Sequence, residues 1–276
     1  MVRALVLTTA AILALAAPLS AQAPQFQWKK DEVLRYRVAQ LTTATELVTD
    51  KTQETKTRLD LIKRWKVLDV DAGGIATLAM SVERLRMETK NPGGETLFFD
   101  SAEPAKSNPA LRDEMMKYVN TPVITVRLNP RGQLIEVKES KFGPPSRLEA
   151  DLPFKIVLPG TALTAGQGWE RKFAIRLEAA QGQEAVTYDG MQVLTCKSVT
   201  GNTAIIGVTH TVTNPPESPA DQIPLLPMQP TGEVTFDTAA GRIVSVKYQF
   251  ARELRGHNGE GSKYTFASSY AEELMK

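Results

Sequence analysis

Apolar and polar residues alternate with the two-residue period of β-strands along most of this chain, and the alternating segments are separated by breaks rich in Gly, Asn, Asp and Pro. In EVLRYRVAQLTT, Glu32 to Thr43, the residues Leu34, Tyr36 and Val38 fall on one face and Val33, Arg35 and Arg37 on the other, which predicts a half-buried strand. The polar, Thr-rich stretch from Leu47 to Lys56 fits a strand pair whose outer faces meet water. The run from Thr57 to Thr89 carries a turn signal at Asp71-Ala72-Gly73-Gly74 between two alternating apolar segments, and so predicts a hairpin. The second half repeats this order. A strand is expected from Gly166 to Ala179, introduced by Trp169 as Trp28 introduces the first, and a hairpin from Met191 to Thr213 turns at Thr200-Gly201-Asn202.

Each half then closes on a strand pair, VITVRLNPRGQLIEVKES in the first and GEVTFDTAAGRIVSVKYQFAREL in the second. The heptapeptides GQLIEVK at Gly132 and GRIVSVK at Gly241 share one pattern, a glycine followed by an aliphatic pair, Val and Lys. Such self-similarity at matching places is the mark of an internal duplication. The predicted fold is therefore mainly β, two similar antiparallel sheet units of curved-sheet or half-barrel type. A last strand around Tyr264–Ser269 is expected to pair back on Tyr248–Leu254 through the Gly-rich turn Gly256–Gly261.

The inserts of the two halves differ. In SNPALRDEMMKYVN, Asn108 suits an N-cap, Pro109 a first helical residue, and Leu111, Met115, Tyr118 and Val119 share one face, which predicts one short helix near 109–119. The corresponding place in the second half holds NPPESPADQIPLLPMQP, whose prolines predict an extended, partly rigid loop. Between the halves, residues 142–165 include LPFKIVLP, too apolar to be left in water, and are expected to cross the body as a packed segment.

The first 21 residues pair an early Arg3 with an apolar run and small residues, the layout of a secretory leader, with cleavage expected after Ala21. The expected organisation is a leader over 1–21, a first β unit over 22–141, the crossing segment over 142–165 and a second β unit over 166–276. No second long apolar run follows, so the expected product is a soluble protein of the periplasm or exterior with no membrane-spanning segment. The single cysteine, Cys196, allows no disulfide within the chain, so the fold must rest on core burial. A net charge of +2 argues against nucleic acid as a partner.

Catalytic signals are weak. His210 lies in a Thr-rich strand and His257 in the Gly-rich turn, with no second His or Cys at metal-ligand spacing, so both read as structural, His257 as an exposed turn residue. Cys196, in a predicted strand with no adjacent His or Asp, reads as a buried thiol. No catalytic, cofactor or metal residues are assigned.

The motifs DEVLRYRV, WKVLDVDAGGIAT and GEVTFDTAAGRI resemble those of exported bacterial proteins of unknown function, and the resemblance covers most of the chain after the leader. It implies tandem β-rich halves and no activity or site residues. The arrangement is also loosely similar to the half-barrels of periplasmic lipoprotein carriers, which implies a curved sheet around a helical plug. Connecting segments carry apolar residues where loops are ordinarily polar, and Phe98, Phe99, Phe154, Leu225, Leu226 and Met228 are the expected surface for a lipid, another apolar ligand or an envelope protein. The function expected is non-enzymatic binding in the cell envelope. The alternatives are a purely structural envelope protein or a hydrolase acting through two carboxylates.

Overall fold

The computed structural model describes residues 23–177 and 185–276. The leader expected over 1–21 and the end of the strand expected to reach Ala179 lie outside these residues. Among the described residues are twelve strands: β1 (Val33–Val48), β2 (Lys51–Val70), β3 (Ala76–Lys90), β4 (Thr96–Asp100), β5 (Pro122–Leu128), β6 (Leu134–Ser140), β7 (Gly168–Leu177), β8 (Val186–Thr200), β9 (Thr203–Val212), β10 (Thr231–Asp237), β11 (Arg242–Arg255) and β12 (Lys263–Leu274). All pair antiparallel in one open sheet, in the order 6-5-3-2-1-12-11-10-9-8-7, with β4 beside the far end of β3.

The two halves follow corresponding strand orders. Strands 6-5-3-2-1 of the first half are matched by 11-10-9-8-7 of the second, running the same way across the sheet, and β12 joins the two by pairing with β1 and β11. The two units therefore share one continuous sheet. Gly132 and Gly241 sit in equivalent turns, β5–β6 and β10–β11, both at positive φ. Each turn is set by the same device. Asn129 Oδ1 accepts from the backbone N–H of Arg131 and Gln133, both at 3.0 Å, and Asp237 Oδ1 accepts from those of Ala239 at 2.9 Å and Ala240 at 2.8 Å. Both glycines also lie against the segment that precedes β1: a Cβ on Gly132 would meet the Phe26 ring at 2.5 Å, and one on Gly241 would meet Gln27 N at 2.6 Å. That segment is pinned by Phe26 N–H to Pro130 O at 2.7 Å and Gln27 N–H to Gly241 O at 2.9 Å.

The turn from β1 to β2 escaped sequence reading because it uses no glycine: Thr49 and Asp50 both adopt positive φ, the geometry of a tight hairpin turn. The first insert forms α1 (Pro109–Met115) and a following 3₁₀ turn, Met116–Tyr118, with Leu111, Met115 and Val119 packed against Val82, Leu85 and Phe99. Asn108 does not cap this helix with its side chain. Its Oδ1 instead accepts from Phe98 N–H at 2.6 Å and ties the insert to β4. The crossing segment includes a short helix, α2 (Arg147–Ala150), and buries Leu152, Phe154, Ile156, Val157 and Leu158.

The proline-rich second insert departs from the extended loop expected of it. It makes one helical turn, α3 (Pro219–Gln222), and a 3₁₀ turn, Ile223–Met228. Pro219 and Pro224 occupy first-turn positions, where a missing N–H costs nothing, and only Pro227 lies inside a turn. His257 likewise differs from an exposed turn residue: its side chain is buried and its Nε2 lies 2.8 Å from Glu46 Oε1. Cys196 is buried and free. No helix among the described residues is long and apolar enough to cross a membrane.

Candidate functional site

The concave face of the sheet has a sealed zone and a polar one. In the sealed zone Phe154 is the hub, with ring centroids 5.0 Å from Trp28, 5.0 Å from Trp65, 5.7 Å from Phe26 and 6.2 Å from Tyr36. Around it one core combines residues of both halves, from Leu78 and Val126 to Leu194, Ile206 and Phe236. Aromatic rings supply large apolar areas at this junction, which explains why the first residues of the described chain and the crossing segment dock there.

Beyond this core the inward-facing rows of the strands change character. Lys63 of β2 donates to the Tyr270 hydroxyl at 2.8 Å, and Tyr270 in turn donates to Glu272 on the same strand, β12. Lys63 is 17% exposed and paired with Glu272 at 3.4 Å. Burial drives the Lys63 ammonium below its ordinary pKa, with Glu272 opposing the shift. Burial and the Glu272 charge keep the Tyr270 hydroxyl well above its own range, so it stays a proton donor. Lys155 comes from the crossing segment in the left-handed backbone region, φ 65°, a costly conformation for a residue with a Cβ. That turn places its ammonium over the Tyr270 ring, 5.1 Å from the centroid, and beside the Asp151 carboxylate.

The belt continues across β7, β8 and β9. Gln192 Nε2 donates to the Lys155 carbonyl at 2.7 Å and to His210 Nε2 at 2.9 Å. His210 Nδ1 must then carry the proton, which it donates to the Pro230 carbonyl at 3.0 Å. Burial pushes this imidazole down to about 4, so it is neutral at ordinary pH. Gln192 Oε1 accepts from Arg171 Nε at 3.2 Å, and Arg171 Nη1 donates to the Glu149 carbonyl at 2.6 Å.

Between the crossing segment and the second insert this belt opens into a groove of about 520 Å³. Its lining mixes polar and charged residues, among them Tyr248, Tyr270, His210, Lys155 and Asp151, with apolar ones, among them Leu152, Ile175, Leu177 and Met228. The volume lies within the range of small-molecule sites. His210 has both ring nitrogens committed to the framework and is not free to accept a further proton there.

The six apolar residues expected to form one surface are not brought together. Phe99 packs beneath α1, Phe154 is the hub of the main core, Leu225 packs with Ile175 and Val212, and Leu226 with Leu254 and Phe266. Phe98 is half-buried under the Arg86 guanidinium, 5.3 Å from its ring. Only Met228 reaches the groove. The reason is that an apolar connection over a curved sheet finds the nearest part of its concave face, and four separate patches of that face were available. The belt residues were missed, yet a signal existed. Lys63 interrupts the inward row Leu59, Leu61, Trp65, Val67, and Gln192 interrupts the row of Leu194 and Cys196, so each is a polar residue written at a core position.

No family model matches this chain, and no curated protein sequence matches it. Among solved structures, one on lipid–protein interactions in lipovitellin aligns with a TM-score of 0.48 and 12% identity, covering 91% of this chain and 26% of that one. The chain thus spans about a quarter of that protein's length, and a likeness so distant carries no argument about function.

Proposed function

We propose that this is a non-enzymatic, exported protein of the cell envelope that binds a ligand with an apolar chain in the groove between the crossing segment and the second insert. One observation carries the reading: a groove of about 520 Å³ whose lining combines apolar side chains with polar and charged ones, beside the main core. Ile175, Leu177 and Met228 offer apolar contact at about 0.8 kcal/mol per methylene buried, so micromolar affinity, about 8 kcal/mol, takes a long chain, upwards of about ten carbons, once the cost of immobilisation is added. The framework roles of His210 and Gln192 support binding over catalysis, since a general base must be free to accept a proton. Export is supported by the leader pattern of residues 1–21.

Native mass spectrometry of the full chain purified from its own envelope tests this directly. A co-purifying small molecule, lost in Met228→Trp, is the expected result. Full retention of that molecule by the Trp variant would place it elsewhere and end the groove reading, whereas a stoichiometric protein and no small molecule would favour a scaffolding role.

A further inference from the structure

β6 and β7 are the two ends of the sheet, and each has a strand on one side only: β6 pairs with β5 and β7 with β8. Among the described residues, no other backbone hydrogen bond is made by Leu134–Val137 of β6 or Arg171–Phe173 of β7. These same two runs line one cavity of about 610 Å³, completed by Pro145, Ser146, Glu149, Leu152 and Val157 of the crossing segment. Successive side chains of a strand point to opposite faces, so a cavity lined by consecutive residues meets each strand at its edge. The sheet therefore curls until its two free edges face a common slot.

Strand direction decides what would fill it. Eleven strands lie on the path from β6 to β7 and every neighbouring pair is antiparallel, so β6 and β7 run the same way. Joined directly they would make one parallel seam. A single added strand running the other way pairs antiparallel with both, and closes the sheet into a barrel of even strand number with no edge left. The slot also has the section of a strand. Four residues of β6 span about 13 Å, which leaves roughly 47 Å² of section for the 610 Å³, against about 4.8 by 10 Å for a strand within packed sheets. Its charges are mixed, Glu136 and Glu149 against Arg171 and Lys172, so recognition rests on main-chain bonds and not on one sign of charge.

We propose that this slot binds an extended peptide segment of a partner protein, which pairs antiparallel with β6 and β7 at once. A second copy of this chain does not suit it, because its own β6 or β7 would bring β5 or β8 with it against the facing edge. The proposal does not rest on the groove reading.

Random octapeptides displayed on phage are selected on the full chain, and the enriched peptide is synthesised. Hydrogen exchange of the chain with and without that peptide then reads both edges. Exchange is expected to slow about tenfold or more at amides of both Leu134–Val137 and Arg171–Phe173. A version N-methylated at alternate residues loses its donors to one edge and is expected to bind about tenfold or more weakly, as loss of several backbone bonds implies. The proposal is overturned by the absence of any enriched peptide, by protection of one edge alone or of the groove instead, or by an N-methylated peptide that binds equally well. Protection of both edges that grows with chain concentration, without peptide, would assign the slot to a second copy and overturn it as well.

Discussion

The two halves of the sheet are built on one strand plan and are covered in opposite ways. Over the first half, α1 sets Leu111, Met115 and Val119 down on Val82, Leu85 and Phe99, and this contact closes. Over the second, the 3₁₀ turn Ile223–Met228 sends Leu225 and Leu226 into two different clusters and leaves Met228 at the edge of an open groove. An amphipathic helix presents one continuous apolar stripe and can seal a concave face. A proline-punctuated segment cannot, because its side chains point in several directions within a few residues. The comparison teaches that a shared strand plan supplies a similar surface in each half, and that the different inserts decide which half keeps a hollow.

The largest effect expected is from the residue that abolishes the distinction between halves. Phe154→Ala removes the ring on which Phe26, Trp28, Tyr36 and Trp65 converge and should cost about 3–5 kcal/mol. Because the core is shared, urea unfolding should remain a single transition at a lower midpoint; two separated transitions would show that the halves fold independently.

An acid-dependent loss comes next and belongs to the second half. His210 titrates near 6.5 in an unfolded chain and about 4 in the fold, so the unfolded state binds its proton first as pH falls. Its contribution is fully present above pH 6.5, declines between pH 6.5 and 4 by about 3 kcal/mol, and levels off below. Urea midpoints measured against pH should show this decline in the parent and a shallower one in His210→Gln; identical slopes would remove His210 from the account.

The paired glycines test the equivalence of the turns. Both Gly132→Ala and Gly241→Ala place a Cβ at positive φ, a strain of about 1–2 kcal/mol. They differ in what the Cβ meets: a ring edge of Phe26 beside Gly132, but the backbone of Gln25 and Gln27 beside Gly241. The Gly241 variant should therefore melt lower. The reverse order in thermal unfolding would mean that the segment before β1 yields more readily than the core ring.

A last comparison sets the two covers against each other. Leu225→Ala, at a fully buried position, should cost about 2–4 kcal/mol, and Leu111→Ala, on the half-buried face of α1, about 1 kcal/mol. Equal losses in melting experiments would show that the 3₁₀ turn is no better anchored than the helix.

Much of the fold was legible because strand periodicity is local: Leu34, Tyr36 and Val38 announce their face without reference to any other segment. The glycine heptapeptides were legible for a similar reason, since a positive φ and a following strand are written in consecutive residues. The six expected site residues illustrate the limit. Their apolarity was visible in the sequence, but whether an apolar side chain becomes core or surface depends on which patch of sheet it can reach, and that is not encoded nearby.

The sequence by itself determined the alternation that makes strands, the repeated Asx and Gly turns that join them, and the apolar content of the crossing segment, because each follows from neighbouring residues. Only the tertiary structure decided that β12 joins the halves into one sheet, that Phe154 becomes a hub, and that Lys63, Lys155, Arg171, His210, Tyr248 and Tyr270 meet along one belt. Those residues come from seven separate segments when Gln192 is counted with them, and strand order and curvature, set by long-range pairing, are what bring such distant positions within hydrogen-bonding or Coulombic reach.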